Sequence, residues 1–185
     1  MKKKIDKSYF IFLRYIFLLL LAFSLPIIYK IFTPLTLYPV AELLSLIYDV
    51  KITQNFILIN SEKLIQLIPA CIAGSAYLLL LILNLSTPIK LKKRIYSILL
   101  SISPLLILNI LRIFFLAVLY ENGSPFFDLT HKLLWYGLSI IFVIGIWFLI
   151  VKIFSIHEIP IYSDFKFFLK SIKKNSKNTE TSKGN

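Results

Sequence analysis

Long apolar runs separated by short polar segments dominate this chain. Four of them are long enough to cross a membrane as helices, at about residues 9–31, 69–86, 95–119 and 131–151. A spanning helix needs about 20 mostly apolar residues, and an ordinary soluble domain rarely holds several such runs. The pattern predicts an all-α membrane protein, a polytopic bundle of about four transmembrane helices.

Two stretches between these runs are predicted to lie outside the membrane, at 33–68 and 120–130. Within the first, Val40–Tyr48 has apolar residues at helical spacing, which is typical of an interfacial helix. Lys51–Asn60 is rich in β-branched and aromatic residues and favours a β-like extended chain. Ser61–Leu67 is expected to form a helical turn with Ser61 as its N-cap. Two interpretations stay open: a folded cover over the membrane surface, or part of a substrate groove.

Basic residues cluster beside the apolar runs. Sixteen lie in the segment up to Arg14, in the loop Lys90–Arg94 and in the tail that follows residue 151, against four on the opposite side. Since Lys and Arg remain in excess on the cytoplasmic side, both termini are expected in the cytoplasm. Residues 153–185 then form a basic cytoplasmic tail, whose polar end is predicted to be disordered. The net charge of +12 therefore reflects membrane topology, and no binding of nucleic acid is expected.

The composition excludes several kinds of site. The chain is 58% hydrophobic and has one cysteine, Cys71, so an intramolecular disulfide and a thiolate-rich metal site are ruled out. Phosphate-binding glycine motifs and histidine pairs at zinc spacing are absent. We expect no metal and no cofactor.

Three chemically competent side chains are predicted at the same membrane depth. Arg112 lies inside an apolar run, where a permanent cation is costly and by default marks a functional site. If its side chain extends toward the outer face, it reaches the level of Cys71 and His131, which begin the second and fourth spans. Depth alone does not bring the three into lateral contact. Each could also have a purely structural role. The cysteine could be a small apolar packing residue, the histidine could lie in the first turn of a helix, and the arginine could pair with a carboxylate or with carbonyl groups.

Together the three residues have a coherent chemistry. A thiolate is the nucleophile, histidine can take the thiol proton and later give it to a leaving amine, and arginine can stabilise the thiolate or an oxyanion. Two supporting residues are predicted. Asn109 shares a helix face with Arg112 and could orient the guanidinium or substrate, and Asp128 could cap the fourth helix and orient His131.

At these residues the chain resembles the exosortase/archaeosortase family of membrane cysteine transpeptidases, over a little more than a third of its length. The matching stretches are Pro-Ala-Cys71-Ile-Ala-Gly74, Asn109-Ile-Leu-Arg112-Ile113, and Phe127-Asp128 followed by His131. The order Cys, Arg, His, one per span, is the family's catalytic order. The chain is similar to small archaeal members, although Ile72 stands where many members have Ser or Thr.

The resemblance implies a function. Family members cleave the C-terminal sorting signals of secreted proteins, which consist of a short motif, an apolar span and a basic cluster. Cleavage is expected at the outer face of the cell membrane of an archaeon, with transfer of the new C-terminus to a lipid-type acceptor. Cys71 is then the nucleophile, Arg112 the stabiliser and His131 the acid and base.

Two other functions remain open from the sequence. The chain could be a non-catalytic membrane subunit or a small transporter that uses Arg112 for an anionic ligand. It could also be a degenerate family member that binds sorting signals without cutting them.

Overall fold

The computed structural model describes residues 12–13, 15–87 and 89–156. This part is mainly helical, and three of its helices are long and apolar enough to cross a membrane: Leu25–Ser45, Leu91–Glu121 and Phe127–Ile153. A fourth apolar helix, Gly74–Ser86, is shorter. The prediction of a mainly helical chain with membrane-type helices and a little β structure is confirmed at this level. The predicted basic start and cytoplasmic tail lie outside the described residues.

The first predicted span has the wrong bounds. Helix α1, at residues 15–22, ends in a turn, and helix α2 then runs without a break over Leu25–Ser45. Residues 33–45 of the predicted external segment, and most of the predicted helix Val40–Tyr48, are therefore part of α2. A stripe of buried side chains continues past the two internal prolines and explains the difference, because one face packs on the core along the whole helix. These side chains are Ile28, Phe32, Thr36, Leu37, Val40, Ala41 and Leu44.

A small antiparallel sheet follows α2. Its strands are β1 (Val50–Thr53), β2 (Phe56–Ile59) and β3 (Lys63–Gln66), in the order β1-β2-β3. The β structure predicted at Lys51–Asn60 is confirmed, although it consists of two strands joined by a turn at Gln54 and Asn55. The helical turn predicted at Ser61–Leu67 is wrong. Asn60 and Ser61 have positive φ angles of 51° and 60°, which reverse the chain into a hairpin. Leu64 then pairs with Leu58 across the ladder.

The second predicted span, 69–86, is broken near its N-terminal end. Helix α3 (Pro69–Ile72) has only four residues, and helix α4 (Gly74–Ser86) follows it. Between them Ala73 adopts the left-handed conformation, with φ 58° and ψ 32°. A left-handed residue ends a helix and changes the direction of the chain.

The remaining helices extend beyond their predicted bounds. Helix α5 (Leu91–Glu121) replaces the predicted 95–119 and contains Pro104. Helix α6 (Phe127–Lys132) begins inside the predicted loop 120–130 and continues through a π-helical stretch, Leu133–Leu138, into α7 (Ser139–Ile153). The N-cap of α6 is Phe126 and not Asp128, because the helix starts earlier than the sequence predicts.

Helix α5 packs against α2, α4 and α7 and forms the centre of the bundle. Between α2 and α4, the ring of Phe32 stacks on the fully buried ring of Tyr77 with centroids 3.8 Å apart. Asn84 of α4 hydrogen-bonds Ser97 and Ser101 of α5 in a fully buried polar cluster. The first contact joins α2 to α4, and the second joins α4 to α5, the helix that carries Asn109 and Arg112.

Candidate functional site

Cys71 lies in α3, the short helix before the break. Pro69 is the first residue of α3 and follows Ile68, whose backbone is extended; proline suits this position because the missing N–H has no helical acceptor there. The backbone N–H of Cys71 donates to the carbonyl of Ile68 at 2.8 Å. The thiol is free and the side chain is half-buried. The break at Ala73 therefore leaves the cysteine on a single turn of helix.

Two side chains of α5 bind the backbone at this break. Asn109 Nδ2 donates to the carbonyl of Cys71 at 3.0 Å and lies 3.4 Å from that of Ile72. Arg112 Nη2 donates to the same Cys71 carbonyl at 3.1 Å. Buried carbonyl groups that leave a helix need donors from elsewhere. Asn109, predicted to orient the guanidinium or substrate, thus binds the backbone of Cys71 instead.

The guanidinium of Arg112 is held between α3 and the last helix. Its Nη1 donates to Ser139 Oγ at 3.0 Å, and that hydroxyl donates to the carbonyl of Leu134 at 2.7 Å. Its Cζ lies 6.0 Å from the centre of the Trp135 ring, within cation–π range. Among the described residues no carboxylate pairs with Arg112. Its positive charge is therefore met by a carbonyl, a hydroxyl and an aromatic face.

His131 lies on α6, between two aromatic rings. Its ring centre is 5.7 Å from that of Phe127 and 5.8 Å from that of Trp135. Within the described part of the chain, it forms no hydrogen bond with Cys71 or with Asp128. The predicted orientation of His131 by Asp128 is therefore not seen, although Asp128 does lie in the first turn of α6.

One cavity of about 300 Å³ is lined by Cys71, Arg112 and His131 together. Its other walls are mostly apolar and come from α5, from Trp135 and from the segment that includes Leu64 and Gln66. The structure thus brings the three residues together laterally, which membrane depth alone did not require. Their catalytic roles stay a prediction.

Two residues of the site were missed by the sequence reasoning. Ser139 binds the guanidinium and Trp135 lies between His131 and Arg112. A signal was present, because His131, Trp135 and Ser139 recur at steps of four, the spacing of one helix face. Both lie inside the predicted span 131–151, for which only His131 was predicted as a site residue.

Comparisons with protein-family models, with curated proteins and with solved structures find no match for this chain. What the site does therefore has to be inferred from its own geometry and chemistry.

Proposed function

We propose that this protein is a membrane cysteine transpeptidase or protease. It cleaves the C-terminal sorting signals of secreted proteins at the outer membrane face and passes the new C-terminus to a lipid-type acceptor or to water. The observation that carries the proposal is the shared cavity: a free thiol, a guanidinium and an imidazole from separate elements line one space of about 300 Å³.

The reaction proceeds in two steps. His131 takes the proton of the Cys71 thiol, and the sulfur attacks the carbonyl carbon of the scissile peptide bond. Arg112 stabilises the oxyanion of the tetrahedral intermediate. The carbon–nitrogen bond then breaks, the departing amine takes the proton from His131, and a thioester remains on Cys71. An acceptor hydroxyl or water gives its proton to His131, attacks the thioester and regenerates the thiol.

The positions of the side chains suit this sequence of steps before substrate is bound. The Cys71 thiol and the His131 imidazole line the same cavity without a hydrogen bond between them. Catalytic hydrogen bonds in free enzymes are often long and shorten only when substrate binds. Arg112 holds the carbonyl of Cys71, so the guanidinium and the nucleophilic residue keep a fixed relation during the reaction.

The proposal includes a topology. Four spans cross the cell membrane of an archaeal host, with α3 and α4 together as the second, and both termini lie in the cytoplasm. Lys63 and Glu121, which join the sheet to the end of α5, then lie on the outer side. In this arrangement the apolar helix of a sorting signal brings its scissile bond to the level of Cys71.

The test is processing of a co-expressed substrate. The substrate is a tagged secreted protein with a motif, an apolar span and a basic cluster at its C-terminus, taken from the same genome. Cys71→Ala should abolish cleavage while the variant is expressed and folded normally, and Arg112→Ala and His131→Ala should each slow it at least about 100-fold. Leu111→Ala, on an exposed part of α5 next to Arg112, is the matched control and should keep full activity. Continued processing by Cys71→Ala would refute the proposal.

A second candidate function has one observation in its favour. Because no described carboxylate pairs with Arg112, its charge could serve an anionic ligand in a non-catalytic subunit or transporter. Labelling separates the two functions, since Cys71 is the only thiol. A nucleophilic cysteine reacts quickly with a membrane-impermeant thiol reagent, and Arg112→Ala slows the reaction. An inert thiol that is indifferent to residue 112 would favour the anion site.

A further inference from the structure

Among the described residues, strand β3 has one free edge. The sheet order β1-β2-β3 places β2 in the middle, so β3 pairs with β2 on one side only. Unpaired N–H and C=O groups along a strand edge are a template for another extended chain. Residues of β3 also line the cavity that contains Cys71.

The ladder shows which groups of β3 point away from β2. The N–H of Leu67 donates to the carbonyl of Asn55 at 3.0 Å, one step beyond the pair Gln66–Phe56. Backbone groups alternate in direction along an antiparallel strand. Those of Lys63 and Ile65 therefore also point toward β2, whereas those of Leu64 and Gln66 point outward.

The hydrogen bonds between β1 and β2 imply the same alternation of inward and outward backbone groups. The N–H of Asn60 donates to the carbonyl of Asp49 at 2.8 Å, so the groups of Leu58 and Phe56 on β2 point toward β1. Those of Ile57 then point toward β3, as the pairing with Ile65 requires. Within the described part of the chain, no backbone hydrogen bond occupies the outward groups of Leu64 and Gln66.

The edge is held firmly beside the cavity. Lys63 Nζ donates to the carbonyl of Glu121 at 2.5 Å, and Asn60 Nδ2 donates to Glu121 Oε1 at 2.9 Å. These bonds attach the β2–β3 hairpin to the end of α5. Only Leu67–Ala70 separate the strand from Cys71 in sequence. The free edge therefore leads directly to the thiol.

We propose that the outward backbone groups of Leu64 and Gln66 bind an extended apolar segment of the substrate peptide as a fourth strand, aligned toward Cys71. The proposal rests on the proposed function for the identity of the peptide. A peptide backbone supplies the matching donors and acceptors, which the acyl chain of a lipid lacks. The exposed Leu64 side chain and the mostly apolar cavity walls favour apolar side chains in the bound segment. Because the hydrogen bonds are to the backbone, this recognition tolerates many apolar sequences.

The test measures binding without chemistry. The Cys71→Ala protein in lipid nanodiscs is titrated into a fluorescein-labelled peptide. The peptide has six residues of alternating valine and alanine, followed by one lysine for solubility, and is called the hexapeptide after its six-residue core. Fluorescence anisotropy gives the Kd. Gln66→Pro removes one outward N–H and should raise Kd about three- to tenfold, the effect of losing one hydrogen bond. Ile52→Pro is the matched control, because its N–H points outward from β1 on the opposite edge of the sheet. It should leave Kd unchanged.

A second measurement needs no variant of the strand. The same hexapeptide, methylated on two adjacent central amide nitrogens, lacks an N–H donor on each side of the extended chain. It should therefore bind at least about tenfold more weakly. Equal affinity for both peptides, or no binding of the unmethylated one, would overturn the inference. Equal affinity together with competition by long-chain fatty acids would identify an acyl-chain cavity instead. Since every titration uses Cys71→Ala, failure here leaves the nucleophile to be judged by the processing assay alone.

Discussion

Gly74 is the position where one added methyl group tests the packing around the break. A Cβ on Gly74 would lie 2.7 Å from both Cδ1 and Cζ of Tyr29, and closer still to Cε1. Carbon atoms in contact are normally about 3.5–4.0 Å apart. The tyrosine ring or helix α4 must therefore move when Gly74 becomes alanine.

The expected size follows from two opposing effects. Overpacking of this kind costs about 1–3 kcal/mol, whereas alanine is favoured over glycine in a helix interior by about 0.5–1 kcal/mol. Because Gly74 is the first residue of α4, the preference for alanine over glycine should be near about 0.5 kcal/mol there. Gly74→Ala should lower the free energy of unfolding by about 1–2 kcal/mol. In a Tyr29→Ala background the clash is absent, so the same change should be neutral or slightly stabilising.

Titration with SDS in mixed micelles measures the four stabilities of this double-mutant cycle. Gly145→Ala is the matched control, because, apart from the adjoining backbone of its own helix, no atom of the described residues lies within 4 Å of a Cβ on Gly145. This change should be neutral or stabilising. If Gly74→Ala costs the same with and without the Tyr29 ring, the contact does not exist as described. A cost at Gly145 equal to that at Gly74 would attribute the effect to glycine in general.

Further changes test the polar contacts of the bundle. Asn109→Leu removes the amide that binds the Cys71 backbone and should lower stability by about 1–2 kcal/mol, measured by SDS titration; an unchanged midpoint would contradict this contact. Arg112→Lys keeps the charge but replaces a planar group that bonds both α3 and Ser139, so substrate processing should fall at least about tenfold, and full activity would show that charge alone suffices. Asn84→Leu removes the acceptor of the buried Ser97 hydroxyl and should lower the free energy of unfolding by about 1–3 kcal/mol, more than Leu111→Ala does.

The sequence predicted the helices better than their ends. Apolar runs locate spans because the membrane demands continuous apolar length, and all four runs are helical over most of their length. The end of the first span was predicted at residue 31, whereas α2 continues through Pro34 and Pro39 to Ser45. Buried residues continue on one face of α2 through Val40 and Leu44, and a packed face decides where a helix ends more than proline does in a membrane protein.

The sequence predicted which residues form the candidate site, but it did not predict the hydrogen bonds that position them. Position along the spans placed Cys71, Arg112 and His131 at one depth, and they do share a cavity. The break at Ala73 was not foreseeable, because alanine carries no local preference for a left-handed conformation. Its cause is tertiary: α5 supplies Asn109 and Arg112 to bind the carbonyl groups that the break exposes.

The carbonyl exposed at the helix break and the buried guanidinium would each be unfavourable alone, and they form a hydrogen bond with each other. A carbonyl group that leaves its helix within a membrane costs several kcal/mol when it lacks a donor, and a guanidinium at that depth is costly without acceptors. In this protein the carbonyl of Cys71 accepts from Arg112 Nη2, so this hydrogen bond gives the exposed carbonyl a donor and one end of the guanidinium an acceptor. Arg112→Ala removes one of two side-chain donors to that carbonyl and leaves Asn109 as the other. The residue proposed as nucleophile is therefore held partly by the residue proposed to stabilise the oxyanion of the tetrahedral intermediate, and Arg112→Ala should lower both stability and activity.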